Sequence, residues 1–199
     1  MLATALLAGV ATASAVTFNA GEIGDLDHHL AASWGISYQV PAGYKITSAT
    51  LTIKNIWDWK QENDALFIHL LDDPKANVQY FTDNTTDTVI LDYFAGQGRL
   101  LTTWSDPLGG VSRNFDLVYN FTAGDINVLN GYLADTKASG NGDFGFGFDP
   151  DCHYYNDGIS FVINTAKVPE GGSTLAFLGV AMLMLGRLAP RRVLALAKR

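Results

Sequence analysis

Short segments in which apolar and polar residues alternate fill most of the chain between residues 16 and 166. The segment SWGISYQV places its large apolar side chains on one face, namely Trp34, Ile36, Tyr38 and Val40. The segment NFDLVYNF repeats the pattern with Phe115, Leu117, Tyr119 and Phe121. A period of two residues indicates a β-strand that has one packed face and one wetter face. The pattern therefore predicts a series of short strands.

Turn-forming residues separate these segments, as in PAGY from Pro41, DDPKAN from Asp72 and DPLGG from Asp106. Glycine, proline, asparagine and aspartate at such spacing are typical of tight connections between antiparallel strands. Roughly eight to ten short strands favour an all-β fold, with two antiparallel sheets forming a jelly-roll-like sandwich.

One segment has a helical period instead. In FTAGDINVLNGYLADTK, the residues Ile126, Leu129 and Leu133 recur at helical spacing. Thr122 and Asp125 have the spacing of a capping box, which satisfies backbone N–H groups at a helix start. The pattern predicts one short helix near residues 123–134, weakened by Gly131 by up to about 1 kcal/mol.

The N-terminal segment MLATALLAGVATASA is apolar from Leu2 to Val10 and ends in Ala13, Ser14 and Ala15. Small residues at these positions suit a signal peptidase, so residues 1–15 are predicted to be a helical signal peptide that is cleaved after Ala15. The alternative is a buried N-terminal helix. Residues 16–166 then form the sandwich domain, and its single cysteine, Cys152, excludes an intrachain disulfide.

Charge is distributed unevenly along the chain. Residues 16–168 carry 8 Lys and Arg against 19 Asp and Glu, whereas residues 169–199 carry 5 against 1. Nucleic-acid binding requires clustered basic residues, and the basic residues of the body are scattered. An acidic body therefore argues against a nucleic-acid partner.

The segment FDPDCHYYNDG is the densest polar cluster of the sequence. Asp149, Asp151, Asn156 and Asp157 offer the oxygen ligands that calcium prefers, so calcium is the candidate cofactor. The spacing does not match a helix-flanked calcium loop, and Cys152 with His153 cannot close a zinc site without distant ligands. The alternative is a tight loop without cofactor, in which Asp and Asn bond their own backbone and Cys152 is buried.

Trp57 and Trp59 fall on the same face of the segment IWDWK, with polar residues beside them. Exposed aromatic rings with neighbouring polar groups suit carbohydrate binding, whereas buried tryptophans are ordinary core residues. No nucleophile or metalloprotease motif accompanies the four histidines. We therefore expect a protein that is not an enzyme.

The segment GDLDHHL contains Asp25, Asp27, His28 and His29. These residues could bind a metal ion adventitiously; the alternative is a solvated loop.

The C-terminal segment, residues 167–199, contains sixteen uncharged residues from Gly171 to Gly186. This run is short for a bilayer span, but Arg187 can snorkel, which extends the predicted transmembrane helix to residues 173–189. The basic residues that follow it favour a cytoplasmic C-terminus.

The tail resembles the PEP-CTERM sorting signal in its VPDSG/VPEGG-type variant. The resemblance rests on a motif, then an apolar helix, then a basic stop. The motif comprises Val168, Pro169, Glu170, Gly171, Gly172, Ser173 and Thr174, and the basic stop comprises Arg187, Arg191 and Arg192. Gly171 departs from the second proline of the commonest form. The resemblance implies a bacterial protein that is processed by an exosortase, a membrane enzyme, on its way to the cell surface or exopolysaccharide matrix.

These observations predict an exported, non-catalytic protein of the cell surface or biofilm matrix. The precursor is expected in the inner membrane and the product at the surface or in the extracellular matrix. An exosortase-like enzyme is the expected partner, and extracellular polysaccharide is a candidate ligand. A calcium-assisted carbohydrate-binding module is the first alternative, and a glycoside hydrolase-like enzyme is the second.

Overall fold

The computed structural model describes residues 14–21, 23–58, 65–83, 91–106 and 115–168. Contacts divide the chain into two compact units, Met1–Lys167 and Val168–Arg199. Residues 1–13 of the predicted signal peptide and the predicted transmembrane helix at 173–189 lie outside the described residues. Within the described ranges, none of the helical structure is both long enough and apolar enough to span a membrane.

The described residues form eleven strands and one helix, which confirms the prediction of a mostly β protein with a single helix. In chain order the elements are β1 Ser14–Asn19, β2 Leu30–Ile36, β3 Tyr44–Ile53, β4 Trp57–Asp58, β5 Leu66–Leu71, β6 Asn77–Thr82, β7 Arg99–Trp104, β8 Leu117–Asn120, α1 Ala123–Ala134, β9 Phe144–Pro150, β10 Tyr154–Tyr155 and β11 Ile159–Lys167.

The strands form two large sheets in which all paired neighbours are antiparallel. The first sheet has the order β1-β11-β3-β8, and the second has the order β6-β2-β9-β5-β7. The short strands β4 and β10 form a separate antiparallel pair. This arrangement is consistent with a β-sandwich.

Aromatic residues of the two sheets meet in the core. In β9, Phe144, Phe146 and Phe148 alternate with glycines and are fully buried. The ring of Phe161 in β11 lies 4.8 Å from the ring of Phe146 and 5.7 Å from that of Phe144, measured between centroids. Burial of each phenylalanine contributes about 1.5–3 kcal/mol to stability. The inner faces of the two sheets therefore share one hydrophobic core.

The outer face of the five-stranded sheet is covered by the loop of residues 91–98. The ring of Phe94 packs on Gly147, where a Cβ atom would approach Phe94 Cδ2 to 2.7 Å. Phe94 also forms a small buried cluster with Ala31 and Leu71. Glycine at position 147 therefore allows the loop to seat a ring directly on the sheet.

Helix α1 begins with the capping box that the sequence predicts. Asp125 Oδ2 accepts hydrogen bonds from the N–H and hydroxyl of Thr122, and Thr122 Oγ1 accepts from the N–H of Asp125. Burial raises the pKa of Asp125, but hydrogen bonds from Thr122, Arg99 and Tyr119 outweigh it and leave the pKa below its ordinary value. The prediction of a helix at 123–134 is confirmed at both ends.

Strand β1 begins two residues before the predicted signal-peptidase cut. Ser14 pairs with Thr165, and Ala15 pairs with Asn164 in β11. Cleavage after Ala15 would leave residues 16–19 of β1, and four pairs of its ladder with β11, in place. Cleavage at this position stays a prediction.

Candidate functional site

The four predicted calcium ligands lie in one strand and two loops. Asp149 belongs to β9, Asp151 to the loop before β10, and Asn156 and Asp157 to the loop between β10 and β11. Asp149 ends the outer face of β9 and is 1 % exposed. Its Oδ2 accepts a hydrogen bond of 2.7 Å from the N–H of Tyr93. Burial, together with the neighbouring carboxyl groups of Asp83 and Asp151, raises the pKa of Asp149 to about 7. Asp149 is therefore a buried acid that binds a proton readily.

Asn156 and Asp157 are engaged in hydrogen bonds that hold their own loop in place. The side-chain amide of Asn156 donates to the carbonyl oxygen of Gly24 at 2.7 Å and accepts from the N–H of Gly158 at 2.9 Å. Asp157 Oδ2 accepts from Asn55 Nδ2 at 3.0 Å. The contact with Gly158 matches the tight-loop alternative, whereas Gly24 and Asn55 belong to other segments of the chain. Calcium at this position stays a prediction.

Residues Asp151 and Cys152 connect this loop to the sheet. The N–H of Asp151 donates to the carbonyl oxygen of Ala65. Cys152 is 4 % exposed, and its thiol donates to Asp58 Oδ1 at 3.4 Å. Cys152 therefore behaves as the small buried residue of the tight-loop alternative.

Trp57 lies at a surface stack of two aromatic rings. Its strand β4 pairs with β10 so that Trp57 stands opposite Tyr155. The two rings stack with centroids 4.4 Å apart and planes inclined by 26°. Trp57 is half-buried, whereas Trp59 lies outside the described residues.

A cavity of about 350 Å³ lies beside this stack. Tyr155 lines it together with Asp25, Asn156 and Asp157. Ligand cavities of this size combine an apolar wall with a few polar groups that fix the orientation of the ligand. Tyr155 supplies an aromatic wall of this cavity, and Asp25, Asn156 and Asp157 supply the polar side chains.

A second polar cluster joins two parts of the chain that are far apart in sequence. Leu26 and Tyr154 form an antiparallel bridge, with reciprocal hydrogen bonds of 3.1 and 3.0 Å. The bridge brings Asp27 and His28 next to His153. Among the described residues, these three are the group of His, Cys, Asp and Glu side chains whose spacing suits a metal ion.

The pKa values of the two carboxyl groups in this cluster, Asp25 and Asp27, are shifted by burial and by the neighbouring histidines. Burial raises the pKa of Asp25 above its ordinary value. Burial also raises the pKa of Asp27, but the backbone N–H of His29 and the charges of His153 and His28 outweigh it, so the pKa of Asp27 is lowered. Asp27 therefore offers a stable carboxylate beside two imidazoles.

The sequence pattern identifies Asp25, Asp27 and His28 as neighbours but gives no reason to join them to His153. His28 and His153 are 125 residues apart, and their proximity depends on the pairing of Leu26 with Tyr154. An isolated bridge has no hydrophobic period of its own, so local patterning carries no signal for it.

His69 also has an acidic partner, but in a closed environment. His69 Nε2 lies 2.8 Å from Asp92 Oδ2, and the His69 side chain is 3 % exposed. The Phe94 ring lies 6.0 Å from the imidazole. The pair therefore fastens the 91–98 loop to the outer face of the sheet.

Of the predicted sorting motif, the structure describes Val168, which is 40 % exposed. The motif residues 169–174 and the basic stop at Arg187, Arg191 and Arg192 lie outside the described residues. Comparison of the chain with protein-family models, with curated proteins and with solved structures gave no match.

Proposed function

We propose that the chain is an exported, non-catalytic protein of the cell surface or extracellular matrix, delivered through its C-terminal sorting signal. The observation that carries this proposal is where the folded body ends. Strand β11 ends at Lys167, and the first compact unit ends at the same residue. Val168, the first residue of the motif, is exposed.

This boundary has a physical consequence for processing. A membrane enzyme can bind the motif only if its backbone is not paired in a sheet, because paired N–H and C=O groups are already satisfied. Since the last strand ends one residue before the motif, cutting beyond Glu170 removes no strand residue of the body. The sandwich remains whole after the tail is lost.

The proposal is tested by intact-mass analysis of the protein from the inner membrane, surface and medium fractions of its host. We expect the surface and medium forms to end near Glu170 and the inner-membrane form to retain the tail. A double variant, Pro169→Ala with Glu170→Ala, should accumulate in the inner membrane at full length. Lys167→Ala, which leaves the motif intact, is the matched control.

The result that overturns the proposal is a full-length wild-type chain confined to the inner membrane. The same distribution of the wild type and the motif variant among the cell fractions would overturn it as well, because the motif would then have no effect on processing or delivery.

We further propose that the sandwich is a jelly roll. The order in which the chain visits the two sheets supports this topology. Strands β1, β3, β8 and β11 belong to one sheet and β2, β5, β7 and β9 to the other, and the chain alternates between the sheets except from β5 to β7, which pair within the second sheet. Such alternation is what two interlocked Greek keys produce. Strand β6 then extends the second sheet beside β2.

A second candidate function, carbohydrate binding, is favoured by one specific observation. Tyr155, whose ring stacks on that of Trp57, lines the cavity together with Asp25, Asn156 and Asp157. An aromatic ring can cover the apolar face of a sugar while the carboxylates bond its hydroxyls. A calcium ion beside these oxygens would assist that binding.

Binding to host exopolysaccharide tests this candidate. We expect Trp57→Ala and Tyr155→Ala each to weaken binding at least about ten-fold, which corresponds to about 1.4 kcal/mol. Tyr80→Ala, at an exposed aromatic residue of β6, is the control. Undiminished binding by both stack variants would exclude this surface, and an unchanged affinity after chelation would exclude the calcium.

A further inference from the structure

We propose that Asp27, His28 and His153 form a zinc site that fastens the segment before β2 to the loop between β9 and β10. The inference does not depend on the tail or on export. It starts from the pairing of Leu26 with Tyr154, which sets Asp27 opposite His153 on neighbouring stretches of backbone. His28 follows directly, so three metal-binding side chains converge from two segments.

Two of the distances between the ligand atoms match the spacing of ligands around a zinc ion. His28 Nδ1 lies 3.3 Å from His153 Nδ1 and 3.4 Å from Asp27 Oδ1. Zinc binds nitrogen and oxygen at about 2.0–2.2 Å in tetrahedral geometry, so two of its ligands lie about 3.3–3.5 Å apart. One ligand atom from each of the three residues lies within 4.8 Å of the others.

The chemistry of the donors also selects the metal. Two imidazoles and one carboxylate suit zinc and related transition metals, whereas calcium and magnesium prefer ligand sets made of oxygen. The three side chains are partly buried, with exposed fractions of 19 % for His28, 26 % for His153 and 35 % for Asp27. A fourth position therefore remains open to water.

Neighbouring groups orient two of the three ligands. The N–H of His29 donates to Asp27 Oδ1 at 3.1 Å, which fixes the carboxylate. The second ring nitrogen of His153, Nε2, lies 3.4 Å from Asp27 Oδ2 and 3.8 Å from Asp25 Oδ2. A carboxylate facing the second nitrogen of a metal-binding histidine is the usual outer partner of such sites. At 3.8 Å Asp25 acts on the His153 ring through its charge rather than through a hydrogen bond, so it is a positioning residue.

Zinc at this position would link chain segments that are 125 residues apart. An ion that binds the folded chain and not the unfolded one raises the melting temperature, by about 5–10 °C when zinc exceeds its Kd a hundred-fold. The site therefore predicts a stabilising ion rather than a reactive one.

The test uses the full chain, stripped of metal and titrated with Zn²⁺ alone, with Ca²⁺ and Mg²⁺ as comparison ions. We expect one Zn²⁺ per chain, a higher melting temperature, and a visible Co²⁺ spectrum of the four-coordinate type. His28→Ala and His153→Ala should each weaken Zn²⁺ binding more than ten-fold. Asp25→Asn should weaken it about ten-fold, as loss of an outer partner does.

His29→Ala is the matched control, because the His29 ring packs against that of His28 but is not one of the three ligands. His153→Gln, which retains a polar side chain, replaces His153→Ala if that variant does not fold. The proposal is overturned if Zn²⁺ does not bind, or if it binds more than one site with equal affinity. Binding that survives loss of both His28 and His153 but not of His29 would also overturn it.

Discussion

Asp149→Asn isolates the effect of one buried acid on the pH dependence of stability. The folded chain raises the pKa of Asp149 from 3.8 to about 7, chiefly through burial. Between these two values the folded state holds a proton that the unfolded state has released. Stability from this group is therefore fully present below pH 3.8, falls as pH rises through this window, and is lost above about pH 7.

The magnitude follows from the same two values. A pKa of about 7 against 3.8 corresponds to about 4 kcal/mol at full burial. Because Asp149 interacts with the carboxyl group of Asp83, part of this energy belongs to the pair rather than to Asp149 alone, and we expect about 2 kcal/mol. Asparagine keeps the shape and the oxygen that accepts from Tyr93, and its amide can donate to Asp83. The variant should therefore gain about 2 kcal/mol at pH 8 and change little at pH 4.

The assay is urea unfolding of the full chain in a neutral detergent at pH 4, 6 and 8, followed by tryptophan fluorescence. The difference between variant and wild type cancels contributions from the other titrating groups. Asp116→Asn, the same chemical change at an exposed carboxylate, is the control. A difference that does not vary with pH, or a variant less stable than the wild type at pH 8, would refute the reasoning.

Three further substitutions test local features by urea unfolding. Thr122→Ala removes the capping box of α1 and should cost about 1–2 kcal/mol; a loss below 0.5 kcal/mol, on the order of experimental error, would contradict it. Gly131→Ala fills an exposed, open position of the same helix, so we expect a gain of up to about 1 kcal/mol, and any loss would argue against it. Gly147→Ala should cost about 1–3 kcal/mol by displacing Phe94. The double variant Gly147→Ala with Phe94→Ala should lose less stability than the sum of the losses of the two single variants. Losses that add up fully would disprove the contact.

The helix was predictable to its ends because its signals are local. Thr122 and Asp125 satisfy the first turn, and Ile126 and Leu129 repeat at the helical period and are buried. No distant residue is needed to specify where such a helix begins. The alternating strands were predictable for the same reason, since one face of each is apolar.

The end of a strand was harder to predict where a distant side chain, rather than a neighbouring strand, accepts the hydrogen bond of the backbone. The segment SWGISYQV alternates as far as Val40, yet β2 ends at Ile36. The N–H of Tyr38 donates to Asp143 Oδ2, so the backbone leaves the sheet at this point although Tyr38 still packs against the core. A side chain 105 residues away decides the boundary.

The candidate sites show the same contrast between local signals and distant contacts. Trp57 was predicted as a ligand-binding aromatic from its neighbours in sequence, but its partner Tyr155 comes from another strand. Asp149 was predicted as a metal ligand from local acidity, while its environment depends on the distant Tyr93 and Asp83. A site formed by residues from two segments can be predicted only if the register between the strands is known. Hydrophobic periodicity within one strand does not give that register.

Strand β11 also determines how the domain bears a mechanical load. It is an interior strand, paired with β3 at nine positions and with β1 at six. A pull on Lys167 along this strand must shear both ladders together, whereas an edge strand can be peeled away one hydrogen bond at a time. A domain held by its C-terminal end in moving liquid would therefore carry tension through its most extensively paired strand.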